Sequence, residues 1–210
     1  MLKVVRLVAP ALLLGVCGHA ATLLFDNASR GDFQSNRGAA VSPIAAITVS
    51  SDTVIGQIGA LVDLNSAGNM KFLIFDFTTN NLLFSTGSQL FADNGLAYKV
   101  SSAFAPFTLH AGTTYGIGAI ADVGGLWEIN AASSGTPFTE NGITASDDVN
   151  GNVVNFGSPA ITSKFSAMIM IQLYSGTTAV PEPATSALLA FGLGTSVFAG
   201  LRARARRGSR

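Results

Sequence analysis

Strand-like patterning dominates the chain from about Thr22 to Tyr174, and helical periodicity is almost missing there. Near the end of this stretch, apolar residues recur at every second position, which predicts that they share the core face of a β-strand. These residues are Phe165, Ala167, Ile169, Ile171 and Leu173. Earlier, Met70 to Phe77 reads MKFLIFDF and is apolar on both faces, which predicts a central strand of a sandwich.

Glycines lie inside two further predicted strands, Val54 to Val62 and Thr113 to Ala121, where they suggest bulges or close packing. Runs of Asn and Gly separate the strands, because both residues tolerate the positive φ of tight hairpins. These turn signals are Asn65-Ser66-Ala67-Gly68, Asn80-Asn81, Asn94-Gly95, Gly124-Gly125, Asn141-Gly142 and Asn150-Gly151. Their spacing predicts roughly nine to eleven strands in an all-β, antiparallel, jelly-roll-like β-sandwich, with a right-handed β-solenoid as the alternative. Ser133 to Gly142 is predicted to be a long loop.

The N-terminus has the pattern of a secretory signal peptide at residues 1–20. Two bases precede a short apolar run, Leu7 to Val16, which is too short to span a bilayer of ~30 Å. Cleavage between Ala20 and Ala21 would place small residues at the positions that signal peptidase reads. A lipidated Cys17 is the less favoured alternative, because Val16 stands where a lipobox has Gly or Ala. Cys17 is the only cysteine, so ordinary cleavage would leave the mature chain without a thiol.

The C-terminus combines three elements in order. Val180-Pro181-Glu182-Pro183 is followed by an uncharged segment, residues 184–201, whose 18 residues would form a helix of ~27 Å. An arginine-rich tail at 202–210 follows, and the positive-inside rule keeps such a cluster in the cytoplasm. The arginines concerned are Arg202, Arg204, Arg206, Arg207 and Arg210. This order predicts an exported domain, then a transmembrane span in the inner membrane, then a cytoplasmic tail.

These three elements resemble the PEP-CTERM sorting signal of Gram-negative bacteria, with Pro181, Glu182 and Pro183 as the motif that names it. The resemblance implies processing by exosortase, a membrane-embedded transpeptidase-like enzyme, with the signal occupying 179–210. It also implies that the mature domain, 21–178, reaches the cell surface or an exopolysaccharide matrix. A plain single-pass anchor with a proline-rich turn is the alternative.

The exported region also resembles the β-sandwich ectodomains that recur upstream of interchangeable surface anchors. The similar parts are Ile74 to Phe77 followed by a hairpin, and Phe107 to Tyr115, in which Gly112 occupies a turn. The resemblance implies the architecture only, and it carries no ligand or catalytic residue across.

Charge is distributed unevenly along the chain. Residues 21–178 contain five basic and eleven acidic residues, which gives a net charge of −6. A negative domain repels polyanions, which argues against nucleic acid or an anionic membrane as its partner.

Catalytic chemistry has few candidates in this region. His110 is the only histidine outside the predicted signal peptide, and no G-x-S-x-G motif is present, so neither a hydrolase triad nor a usual zinc site can be assembled. His110 is therefore predicted to be a solvated turn residue. We expect a non-enzymatic protein without a cofactor.

Two other groups of residues merit a specific hypothesis. Trp127 could stack on a sugar ring with Glu128 beside it, as in a carbohydrate-binding module or a glycan hydrolase, although alternation favours a buried Trp127. Asp148, Asn150 and Asn152 match the first half of a Ca²⁺ loop, but Val153 replaces the expected glycine. A solvated hairpin tip is the preferred interpretation of that segment. Together these patterns predict an exported surface or matrix protein with a structural or adhesive role in exopolysaccharide or biofilm.

Overall fold

The structure is a computed structural model that describes residues 21–130 and 136–176. The predicted signal peptide, the predicted transmembrane span and the arginine-rich tail lie outside the described residues. The described strands are β1 (Leu23–Asp26), β2 (Phe33–Arg37), β3 (Val41–Val49), β4 (Thr53–Leu64), β5 (Gly68–Asp76), β6 (Asn81–Ser85), β7 (Gln89–Phe91), β8 (Ala97–Val100), β9 (Phe107–Leu109), β10 (Tyr115–Ala121), β11 (Gly125–Asn130), β12 (Phe138–Glu140), β13 (Ile143–Ala145), β14 (Asn150–Val154), β15 (Ala160–Phe165), β16 (Met168–Ile169) and β17 (Ile171–Ser175). One short 3₁₀ helix, Ala28–Arg30, follows β1.

The strands form two antiparallel sheets. The first runs in the order β1, β17, β4, β11, β16, with β2 also pairing with β11 and with β8 and β9 also pairing with β4. The second runs β12, β13, β3, β10, β5, β6, with β14 also pairing with β3, β15 pairing with β14, and β7 pairing with β5. Every ladder in the described residues is antiparallel, which agrees with the predicted sheet type and excludes the parallel stacking of a β-solenoid for this region.

The core is built from one face of each sheet. On β3 and β5 alternate residues belong to one large apolar cluster, for example Ile47 and Phe72, together with Ile58 and Val62 of β4 in the first sheet. Burying each large side chain of this kind contributes roughly 1.5–3 kcal/mol, which is the main stabilisation open to a domain that contains no cysteine. The structure is therefore a β-sandwich-like, all-β fold.

A second, smaller apolar cluster lies on the outer face of the second sheet. It comprises Ile44, Ala46, Leu73, Phe75, Phe77, Ile120 and Val153. Phe156 and Ile161, from the β14–β15 hairpin, pack against it. The Ile44 side chain packs directly over two glycines of β10. A Cβ on Gly116 would lie 2.8 Å from Ile44 Cδ1, and a Cβ on Gly118 would lie 2.9 Å from Ile44 Cγ2, so a larger residue would not fit at either position. This cluster explains why MKFLIFDF is apolar on both faces.

Several details differ from the sequence-based expectations. The described residues contain seventeen strands, more than the nine to eleven predicted, because five of them, β7, β9, β12, β13 and β16, have only two or three residues and leave too short a pattern to recognise. The prediction of a long loop from Ser133 to Gly142 is wrong for its second half. There, Phe138–Glu140 forms β12, and Asn141-Gly142 makes the hairpin turn to β13. The alternating run at 165–173 is divided among β15, β16 and β17. Within the described part of the chain, no helix is long and apolar enough to cross a membrane.

Candidate functional site

A gap in the hydrogen-bond ladder of β3 lies beside a cleft in the domain. On one edge of β3, the paired strand β13 ends with Ala145 opposite Ile47, and β14 begins its pairing with Gly151 opposite Ile44. The five intervening residues, 146–150, therefore lie against only two residues of β3. The extra chain length must leave the sheet as a loop, and it does so toward the outer face.

Asn150 closes this gap with its side chain. It is fully buried, and its Oδ1 accepts a hydrogen bond from the Ala46 backbone N–H at 2.8 Å. Its Nδ2 donates to the carbonyls of Ser146 (3.2 Å) and Ala167. The amide of Asn150 thus takes the place of the missing strand partner, because it supplies both an acceptor and donors in one plane.

The loop at 146–149 is fixed by its own hydrogen bonds. Ser146 N donates to Ala46 O at 2.9 Å, and Ser146 Oγ accepts from the backbone N–H groups of Asp148 and Val149, each at 3.2 Å. Ser166 Oγ donates to Asp148 O at 2.8 Å. A loop held at both ends and in its middle presents its side chains in a fixed arrangement.

The cleft beside this loop has a volume of about 510 Å³. Its lining is rich in hydroxyl groups: it consists of Ala46, Thr48, Phe77, Thr78, Thr114, Pro137, Thr144, Ser146, Asp147, Asp148, Val149 and Lys164. The volume falls within the ~300–1,000 Å³ typical of small-molecule sites.

The basic side chains of the domain are largely engaged by neutral groups. Lys164 Nζ donates to Phe77 O at 2.8 Å and lies 4.2 Å from the centre of the Phe77 ring. Lys71 Nζ likewise donates to Phe156 O at 2.9 Å and lies 4.6 Å from the centre of the Phe156 ring. The buried Lys99 donates to Asn94 Oδ1 and Gly95 O. These ammonium groups keep their positive charge, and the net charge of the domain is negative because acidic residues outnumber basic ones by eleven to five.

Trp127 does not form a binding surface. It lies in β11 with 2% of its surface exposed and belongs to the large core cluster. The hypothesis that Trp127 stacks on a sugar is therefore wrong, because the ring has no face open to solvent.

The neighbouring Glu128 points away from the core, as alternation predicts. Its side chain packs against Gly31, where an added Cβ would lie 2.7 Å from Glu128 Cγ. Partial burial raises the pKa of Glu128, while a hydrogen bond with Gln34 acts in the opposite direction.

The three candidate Ca²⁺ ligands do not form a loop around a cation. Asn150 is buried, with its Oδ1 engaged by Ala46 N, whereas Asn152 Nδ2 donates to Ser163 Oγ at 3.0 Å and Asp148 is exposed. The alternative of a solvated hairpin tip is wrong for Asn150 to Asn152, which lie within β14. In residues 21–130 and 136–176, no group of three or more His, Cys, Asp or Glu side chains is placed to hold a metal ion.

His110 occupies an exposed turn, as expected, and it has a partner that sequence reasoning missed. Its Nδ1 lies 2.9 Å from Asp52 Oδ2, and both side chains are more than half exposed, at 64% and 61%. The pKa of Asp52 is lowered, mainly by the hydrogen bond from the backbone N–H of Ala111 and next by the hydrogen bond from the His110 imidazole. A solvated pair of this kind, with no nucleophile placed beside it by these contacts, serves to fix the loop.

A polar network on the first sheet also escaped sequence reasoning. Tyr98 Oη donates to Asp26 Oδ1 and Gln172 Nε2 donates to Asp26 Oδ2, each at 2.8 Å. Tyr98 passes over Gly59, where an added Cβ would lie 3.4 Å from its ring. Burial, followed by the hydrogen bond to Asp26, raises the pKa of Tyr98 well above its usual range. No local signal marks these residues, since they come from three strands that are distant in sequence.

Comparison with known proteins identifies one segment of the chain. Residues 179–207 match the family described as the PEP-CTERM protein-sorting motif. This match includes Pro181, Glu182 and Pro183 and the arginines from Arg202 to Arg207. No curated protein matches the chain. The chain therefore carries a PEP-CTERM sorting motif at its C-terminus, which supports export and exosortase-dependent sorting to the cell surface.

Proposed function

We propose that this chain is a surface or extracellular-matrix protein of a Gram-negative bacterium. A signal peptide at 1–20 exports it, signal peptidase cleaves it between Ala20 and Ala21, and the span at 184–201 holds it in the inner membrane until exosortase acts. The released domain then has a non-enzymatic structural or adhesive role in exopolysaccharide or biofilm. The single observation that carries this proposal is the sorting motif at 179–207.

The properties of the exported domain fit a long-lived extracellular component. Its apolar core contains Trp127 and several phenylalanines, and no cysteine is available in it for oxidation. Its negative charge keeps it soluble and unattracted to anionic surfaces. A carbohydrate-binding or hydrolytic role through Trp127 and Glu128 is not proposed, because Trp127 is in the core.

The processing step is tested by replacing Pro181, Glu182 and Pro183 together with Ala. Proline fixes φ and disfavours helical geometry in the residue before it, which suits a motif that a processing enzyme has to recognise, so the triple replacement should leave the full-length protein in the inner membrane. The matched control is the double variant Thr177→Ala, Thr178→Ala, which lies just outside the matched residues and should be processed normally. Mass spectrometry of surface-released protein provides the readout, and a mature C-terminus at Arg210 would contradict the proposal.

The non-enzymatic role needs a separate experiment. Protein released from the surface should co-sediment with matrix polysaccharide from the same cells and leave the number of reducing ends unchanged. New reducing ends would indicate glycan hydrolysis instead. A protein that is correctly processed but stays wholly in the supernatant would refute the adhesive role while leaving the sorting pathway intact.

A further inference from the structure

We propose that the cleft beside the 146–149 loop binds a neutral, polyhydroxylated ligand, namely an uncharged sugar residue of a polysaccharide. This inference rests on the proposed function, since it names the partner class of an adhesive domain. It does not depend on Trp127 or Glu128, which lie on β11 in the other sheet.

Three threonines are aligned across neighbouring strands of the second sheet, and two of them, Thr48 and Thr144, line the cleft. Thr48 on β3 lies opposite Thr144 on β13, and Thr144 lies opposite Thr139 on β12. The hydroxyls of Thr144 and Thr139 are 2.9 Å apart and share a hydrogen bond. The flanking residues on β13 point into the core, so these side chains face outward by strand alternation. Each hydroxyl can both donate and accept, which matches the hydroxyls of a sugar.

The other lining residues add further hydroxyls and some apolar surface. Thr78 and Thr114 lie where β5 ends and β10 begins, and Val149 is 43% exposed at the loop. Pro137, Ala46 and Phe77 add to the apolar part of the lining. A sugar ring presents hydroxyls at its edges and C–H groups on its faces, so a mixed lining of this kind complements it better than a uniformly apolar one would.

Charge distinguishes the ligand class. Lys164 is the one basic residue in the lining, and its ammonium group already donates to Phe77 O and lies over the Phe77 ring. Asp147 and Asp148 also line the cleft, so the lining has a net charge of −1 within a domain of net charge −6. Uronates, sulfated sugars and phosphates would be repelled, and a neutral sugar would not.

The cleft is preorganised. Asn150 and Ser146 hold the loop to β3, and Ser166 holds it from β15's end. Few side chains then need to be ordered when a ligand binds, which lowers the entropic cost of binding.

The experiment uses the full-length chain in a non-glycosidic detergent. It is applied to an array of neutral, uronic-acid and amino-sugar oligosaccharides, and hits are measured by calorimetry. We expect binding to neutral oligosaccharides. In the double variant Thr48→Ala, Thr144→Ala the affinity should fall about tenfold, because two neutral hydrogen bonds to the ligand are lost. The hydroxyl-conserving variant Thr48→Ser, Thr144→Ser should bind like the wild type.

The matched control is Thr108→Ala, which removes a half-buried threonine from β9 in the other sheet and should leave binding unchanged. Absence of binding to every neutral oligosaccharide would overturn the inference, as would binding that is indifferent to the double alanine variant or preference for uronates. The same variants are then tested for co-sedimentation with the matrix. If the double alanine variant co-sediments with the matrix as fully as the wild type, the role of the cleft is refuted and the adhesive function stands. If the wild type itself does not co-sediment with the matrix, the adhesive function is refuted.

Discussion

Replacing Asn150 with Ala should destabilise the domain far more than its position beside a surface loop would suggest. The substitution removes the acceptor for the Ala46 N–H and the donor for the carbonyls of Ser146 and Ala167. All three hydrogen bonds lie at the gap in the β3 ladder, where no strand can replace them.

The magnitude follows from counting the buried groups that lose a partner. Each unsatisfied buried donor or acceptor costs about 1–3 kcal/mol, and partial relaxation or entry of water reduces the sum. We expect the free energy of unfolding of Asn150→Ala to fall by about 3–5 kcal/mol. For a domain of this size, that corresponds to a fall in Tm of roughly 6–20 °C.

Denaturant unfolding followed by circular dichroism measures this change, with Asn152→Ala as the matched control. Asn152 lies two residues further along β14, and its Nδ2 donates to the exposed Ser163 hydroxyl. That control should lose less than about 1 kcal/mol. Equal losses in the two variants would refute the reasoning. A wild-type Tm that rises with added Ca²⁺, and a difference between variants that disappears with chelator, would show instead that Asn150 is a cation ligand.

Three other predictions concern residues elsewhere in the domain. Asn27→Ala should lower the free energy of unfolding by about 2–4 kcal/mol in a denaturant titration, because the buried Asn27 side chain donates to Ile169 O and accepts from Ile171 N. The control, Asn36→Ala, changes an exposed residue and should be near neutral. Gly118→Ala should cost about 1–3 kcal/mol in the same assay through its clash with Ile44, whereas Gly87→Ala, which meets nothing within 4 Å, should not destabilise; equal effects would contradict the packing argument. Glu128→Gln should stabilise the domain at neutral pH, because a raised folded-state pKa makes the charged form unfavourable. The difference in Tm should shrink as pH falls from the raised folded-state pKa towards the usual glutamate pKa and be lost below the usual value, whereas a difference that grows on acidification would contradict this sign.

Sequence patterns predicted the sheets better than they predicted the site. The run from Met70 to Phe77 was readable because a strand buried on both faces must be apolar at every position, and β5 has an apolar cluster on each side. Alternation also predicted that Trp127 faces the core and Glu128 does not. Such features depend on the local period of the strand, which the sequence contains directly.

The dipeptide Asn-Gly shows where local information ends. At Asn141-Gly142 it makes the expected tight turn, with φ values of 49° and 76°. At Asn150-Gly151 the same dipeptide lies in β14, because the Asn150 side chain is recruited by Ala46, more than a hundred residues earlier. The cleft depends on that long-range hydrogen bond, so its position could not be derived from neighbouring residues. The aligned row of Thr48, Thr144 and Thr139 likewise requires the register of three strands.

The placement of β17 has a consequence for the order of events during secretion. This last strand lies between β1 and β4, and Ser175 N donates to Thr22 O at 2.8 Å, so the earliest and latest parts of the domain are direct neighbours. The first sheet therefore lacks one of its internal strands until the chain has been synthesised almost to Gly176. In the export route proposed above, the chain would enter the translocon N-terminus first and could not complete this sheet until β17 had crossed. Folding becomes possible only when the segment next to the sorting motif has arrived, which makes maturation of the sheet and arrival of the motif nearly simultaneous.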